Sequence, residues 1–238
     1  MVHIQDVQQK IRDDIVAGIL PFGSRVTIAH LAERYGVSQM PIREALRALH
    51  GEGLLVIEPN RGARIRTVDR EFIGNVFDIR SALEVLLIRK MVIRATPEDV
   101  EALRDIESRF EAYVDAEDYE SALRTNREFH ARINAVANNP DAVALLDRHW
   151  LLIAALWHRF DYGAERFHGV INDHRHLISA IAERDVEAAG TLMSAHVIKA
   201  RHTLLERLQF APEETSARKR GSRRTKPDNS DASTLPAA

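Results

Sequence analysis

Asn126, His130, His174 and His196 are the residues of this 238-residue sequence whose types and spacing point to joint chemistry. Asn126 and His130 are four apart, so on a helix they share one face. His130 lies about eight residues before an Asn138 turn, His174 ten before an Arg184-Asp185 turn, and His196 eleven after that turn. In an up-and-down helical bundle, a rise of about 1.5 Å per residue puts all three roughly 10–17 Å below one common end. Each interrupts an apolar face: His130 between Phe129 and Ile133, His174 near Ile171, Leu177 and Ile178, His196 near Leu192 and Met193. A buried imidazole needs a partner for its lone pair. One such histidine is usually a hydrogen-bonded core residue. Three at one level, with a side-chain carbonyl alongside, point to a divalent metal ion of the Zn, Ni or Mn class. His176, two residues from His174, faces elsewhere, and the remaining histidines read as surface residues. Four protein ligands on an ion that accepts five or six leave positions for water or a ligand carboxylate. His149, on the Leu145/Leu146/Leu152 face at a similar depth, is expected to line such a ligand pocket.

The elements that must hold these residues are helices. From Asp69 onward no strand pattern occurs, and six helical segments follow, at 69–93, 96–115, 118–137, 140–160, 164–183 and 185–208. In the first, Phe72, Val76, Ile79, Leu83 and Leu86 form the expected buried face. Thr96-Pro97-Glu98 starts the second with a cap and a proline at the first helical position, and Asn138-Asn139-Pro140 separates the third from the fourth. This predicts an all-α six-helix bundle over residues 67–210.

The N-terminal third has a different pattern. Val7, Ile11, Ile15 and Val16 mark the inner face of a first helix over 5–17, broken by Gly18 to Gly23. Ile28, Leu31 and Ala32 form a second apolar stripe ended by Gly36, a residue that tolerates a left-handed turn. Ser38 is placed to cap the next helix, and Pro41 falls in its first turn. Ile42, Ala45, Leu46 and Leu49 face inward there, leaving Gln39, Met40, Arg43, Glu44 and Arg47 outward. Leu54 to Ile57 is a β-rich run, Pro59-Asn60-Arg61-Gly62 a turn, and Ala63 to Arg66 a returning strand. A helix-turn-helix places such an outward face in the major groove, and the hairpin is a wing with Arg61 at its tip and Arg64 and Arg66 beside it.

Residues 5–66 resemble the winged helix-turn-helix of GntR-family transcription regulators, carried by GVSQMPIREALRALHGEGL and PNRGARI. The helical part resembles the ligand-binding FCD domain of the FadR subfamily, and six helices rather than seven look like its VanR-type branch. The resemblance implies a homodimer on a near-palindromic double-stranded operator, with a repressor released by effector as the common arrangement. It implies DNA contacts from Ser38, Gln39, Met40, Arg43, Arg47, Arg61 and Gly62. For Arg25 it implies a phosphate contact, against which stands an ordinary surface ion pair. Metal-binding relatives carry Asp or Asn four residues before a His, here NREFH, with further histidines in the last two helices, which matches Asn126, His130, His174 and His196. Arg80, in RSALE, matches a frequent arginine and is a candidate for gripping an effector carboxylate; an i,i+4 pair with Glu84 is the alternative.

Composition agrees with two units of different charge. Residues 1–66 carry net +2, residues 67–210 net −6, and residues 211–238 net +2, so a positively charged DNA-facing part stands beside an acidic helical one. The tail after Phe210 lacks apolar periodicity and reads as a disordered basic segment, solubilising or adding non-specific DNA affinity. With no cysteine, disulfides and thiolate metal sites are excluded. The charged start lacks a signal-peptide core, and the longest apolar run, Leu151 to Trp157, is too short to span a bilayer. The expectation is a mainly α, cytoplasmic regulator that responds to a small carboxylate at a metal, with no membrane partner and no enzymatic role. Two other readings are a sensor of the metal itself and a metalloenzyme with a DNA-binding module. Against the last, no carboxylate stands in an obvious general-base register beside the histidines.

Overall fold

In a computed structural model, which describes residues 4–59, 61–160 and 164–210, the N-terminal elements are α1 (Ile4–Val16), β1 (Arg25–Val26), α2 (Ile28–Tyr35), α3 (Gln39–Gly51), β2 (Leu55–Glu58) and β3 (Gly62–Ile65). Thr27 caps α2 by accepting a hydrogen bond from the His30 N–H at 3.2 Å, and Gly36 ends it in the left-handed conformation. Ser38 takes the extended N-cap conformation before α3, but its hydroxyl makes no capping bond, contrary to expectation. Ile42, Ala45, Leu46 and Leu49 are buried as the periodicity requires, and they pack with Val7, Ile11 and Ile15 of α1 into one core. Val16 does not join that core and is only half-buried.

The expected hairpin is a three-stranded antiparallel sheet of order β1-β3-β2. Leu55 pairs with Ile65 across the hairpin, and Arg25 pairs with Arg64 on the added strand. A two-residue strand is too short for alternation to reveal it. Gly62 lets this strand approach. A Cβ there would lie 2.2 Å from the Val26 carbonyl oxygen, and its φ of 93° is one that side chains other than glycine's resist. Asn60 of the expected turn and the tail 211–238 lie outside the described residues.

Six helices follow: α4 (Arg70–Arg94), α5 (Pro97–Asp115), α6 (Tyr119–Ala137), α7 (Pro140–Phe160), α8 (Ala164–Ala182) and α9 (Val186–Phe210). Local chemistry sets their ends. Thr96 and Asp99 form a reciprocal capping box before α5, Asp118 caps α6, and Asn138 closes α6 in the left-handed conformation. α4 packs along α9, while α5 lies against α6 and α8. The buried face of α4 is rotated from the expected one. Ile73, Val76, Phe77, Arg80, Glu84, Leu87, Ile88, Met91 and Val92 face inward, whereas Ile79 and Leu86 are exposed. Apolar residues surround this helix, so periodicity alone leaves its orientation open, and a buried Arg–Glu pair reads as surface. Phe22 and Phe72 pack against both cores, and α1 rests on α7, joining the two units. No described helix is long and apolar enough to cross a membrane.

Candidate metal centre and nucleic-acid interface

His130 on α6, His174 on α8 and His196 on α9 converge in the bundle. All three are buried, and one potential ligand atom from each lies within 4.8 Å of the others. Bundle register alone brought these three to one level, so the helical reading of the spacing holds.

Each ring directs its Nδ1 at a carboxylate from a different helix. His174 Nδ1 lies 2.6 Å from Glu107 Oε2 on α5, His130 Nδ1 lies 3.0 Å from Glu84 Oε2 on α4, and His196 Nδ1 lies 3.2 Å from Asp173 Oδ2 on α8. With Nδ1 so engaged, Nε2 is the nitrogen each ring offers inward. The Nε2 of His174 is buried and has no hydrogen-bond partner. Phe129 stacks on the His174 ring at 3.9 Å between centroids and fixes its plane.

Burial drives His174 well below the ordinary histidine range, and it lowers His196 to about 4 despite Asp173. Both rings are therefore neutral at pH 7, with a lone pair free to ligate. Burial, seconded by Glu111, pushes Glu107 up to about 8. Glu84 shows the opposite outcome: burial raises it, but Arg80 and then His130 hold it well below the usual carboxylate range. Asp173 likewise stays low, held against burial by His196 and Lys199.

The residues fit a divalent cation. Neutral imidazoles with carboxylates at their outer nitrogens are the usual support for metal-bound histidine, and an orphaned buried Nε2 is otherwise costly. Asn126, one turn before His130, adds a second orphan: its Oδ1 is buried without a partner. Three imidazoles and an amide oxygen are donors that a divalent ion accepts.

Beside these residues opens a cavity of about 760 Å³, lined in part by Asn126, His130, His196, Arg80, Trp150 and Trp157. Arg80 both pairs with Glu84 and lines the cavity. Its Nη2 lies 2.6 Å from Glu84 Oε1, so the i,i+4 pair exists, and the side chain also faces the cavity. His149 does not line the cavity. The next residue, Trp150, does, because successive helical positions point about 100° apart. Val16 at the end of α1 contributes to the wall, which explains its absence from the N-terminal core.

Sequence reasoning missed Glu84, Glu107 and Asp173 as histidine partners. Glu107 carried a signal: it shares a helical face with Leu103, Phe110 and Val114, all buried, where an unpaired carboxylate would be costly. Asp173 gave none, since it neighbours His174 in sequence but reaches His196 in space.

The α3 face is built for contact. Gln39, Met40, Arg43 and Arg47 are exposed, and neither arginine makes an ion pair among the described residues. Arg61 is likewise exposed near the wing tip. Arg25 is engaged: its Nη2 lies 3.0 Å from Glu58 Oε2, and its Nε donates to the Arg61 carbonyl at 3.0 Å. Arg64 pairs with Glu58, and Arg66 donates to the Gly53 carbonyl while lying over Phe72.

Residues 3–65 match the bacterial regulatory proteins of the gntR family, and residues 75–199 match the FCD domain. The chain belongs to the GntR family. This GntR regulator is 27% identical to the Nta operon transcriptional regulator of Aminobacter aminovorans, over 82% of its own length and 91% of that protein's. It is 26% identical to the HTH-type transcriptional repressor GlaR of Escherichia coli strain K12, covering 79% and 89% of the two chains. Its fold matches E. coli McbR/YncC with a TM-score of 0.72 at 22% identity, over 87% of this chain and all (100%) of that one. A DNA-binding transcriptional regulator, and not an enzyme, is what the winged helix and these relatives establish.

Proposed function

We propose that this GntR regulator holds a divalent ion through Asn126, His130, His174 and His196, binds a small carboxylate beside it, and alters its grip on operator DNA in response. The observation that carries this is the threefold pattern of buried imidazoles, each with a carboxylate at Nδ1 and ring nitrogens turned together. When bound, the ion supplies a positive centre for an anionic oxygen of the effector. Arg80, held by Glu84, adds positive charge to the same cavity wall.

Regulation requires that the effector bind two states of the protein with different affinity. α1 supports such coupling, because Val16 lines the cavity while Val7, Ile11 and Ile15 pack in the core that holds α3. Ile79, Leu86 and Ile93, exposed at seven-residue spacing on α4, support a self-complementary dimer contact. A homodimer presents two α3 helices to a near-palindromic operator in the cytoplasm. The likeness to GlaR, named a repressor, favours repression as the sign.

Titration calorimetry with Zn²⁺, Ni²⁺ and Mn²⁺ tests the centre. The wild-type chain is expected to take up one ion, and His174→Ala and His196→Ala to lose that uptake with circular dichroism retained. Operator fragments selected from random DNA then report binding with and without carboxylates. Loss of DNA binding on chelation alone, with no acid present, makes the ion itself the signal.

A further inference from the structure

We infer that the carboxylate this cavity takes carries a flat, apolar ring body and is neither a polyhydroxylated acid nor a short-chain one. The inference rests on the reading that the cavity is an acid site beside a metal. At about 760 Å³, the cavity lies well within the range of roughly 300–1,000 Å³ that holds drug-sized ligands. A few-carbon acid would leave most of it filled with water against apolar walls.

Aromatic and aliphatic side chains make up the larger part of those walls. Phe77, Trp150 and Trp157 line them with Leu123 and Val197, and Tyr119 stacks on Phe167 at 4.9 Å between centroids and 12° between planes. No serine, threonine, aspartate or glutamine is among the described lining residues. The polar groups gather at the metal end and at the rim, where Arg124 pairs with Glu120. Hydroxyl groups along a sugar-acid chain would therefore be buried with few partners, each at a cost of about 1–3 kcal/mol. A ring loses nothing in that position and gains contact with the aromatic walls. Trp150 lies under the Arg80 and Arg127 guanidiniums, at 5.7 and 5.4 Å from its ring, which holds the indole in place.

The chain has only two tryptophans, and both line this cavity, so its intrinsic fluorescence reports occupancy. The full-length protein is first titrated calorimetrically with Ni²⁺, then with phenylacetate, acetate, malate and gluconate, following tryptophan emission in parallel. Phenylacetate is expected to bind at least tenfold more tightly than the other three and to shift the emission. Ala154→Phe, which fills the lined space, is expected to weaken phenylacetate at least tenfold; Leu123→Phe serves the same purpose if the first variant does not fold. Gluconate or malate binding as tightly as phenylacetate overturns the ring body and leaves the metal-and-acid reading standing. Phenylacetate binding without any Ni²⁺ uptake supports the ring body and removes the metal. Absence of both removes both.

Discussion

Glu107 on α5 and His174 on the adjoining α8 touch at 2.6 Å, and neither is more than 2% exposed. When ionised, as a cation at Nε2 would favour, the carboxylate accepts the Nδ1 proton, orients the ring and leaves Nε2 as the acceptor. Glu107→Gln keeps the shape and removes the ionisable carboxyl. Its ion affinity, measured by competition with a chelator, is expected to fall about 10–100-fold, with the fold intact by circular dichroism.

Asn126 offers a neutral oxygen where aspartate would offer a charge. Asn126→Asp is therefore expected to raise ion affinity in the absence of acid and to lower the ion-dependent affinity for a carboxylate, since less positive charge remains to attract it. The two effects are linked, because the acid and the ion must change one another's affinity by the same factor. Calorimetry with Ni²⁺ and then phenylacetate on both proteins measures this. Unchanged affinities would remove Asn126 from the ligand set.

Arg43 and Arg25 separate DNA contact from wing structure. Arg43 is exposed on α3 without an ion pair among the described residues, so Arg43→Ala should leave the thermal midpoint unchanged. It should weaken selected operator DNA by about 1–3 kcal/mol. Arg25→Ala removes the Glu58 pair and the bond to the Arg61 carbonyl, and is expected to lower the midpoint as well as DNA affinity. Gln39 favours adenine over guanine at its base position, which the selected sequences will report.

Gly62→Ala is expected to destabilise the N-terminal unit by more than about 1 kcal/mol, because the new Cβ meets the Val26 carbonyl and the positive φ is strained. Chemical denaturation followed by circular dichroism reads this. An unchanged midpoint would mean that the wing accommodates the methyl group and that Gly62 is present for DNA alone.

The capping box of α5 gives the protein an acid-sensitive joint. The Thr96 backbone N–H, with the Thr96 hydroxyl and Arg132 assisting against burial, holds the Asp99 carboxyl below its ordinary range. Such a depressed group contributes stability that is present above about pH 4 and lost as pH falls through the folded value. Thermal midpoints between pH 6 and pH 3 should fall less steeply for Asp99→Asn than for the parent chain.

Helix boundaries were legible because caps and breakers are local: Gly36, the Thr96-Pro97 pair and Asn138 act within a few residues of themselves. The histidine level was legible because bundle geometry converts sequence distance from a turn into depth. The buried side of α4 was not, since Ile79 and Leu86 are as apolar as the residues that face inward. β1 escaped because its two residues gain strand character only by pairing with β3. The three carboxylates behind the histidines depend on contacts between helices, which no single helix encodes.

The last turn of α1 belongs to the DNA-binding unit by sequence and to the cavity of the helical bundle by position, through Val16. Cutting the chain near residue 67 therefore does not yield two intact modules. The C-terminal piece would carry a cavity with one wall missing, and a chimera that grafts a different winged helix onto residues 67–210 would acquire a different wall. Engineered hybrids of this regulator should shift in effector affinity as well as in operator choice, unless the graft keeps Val16 and the turn that carries it.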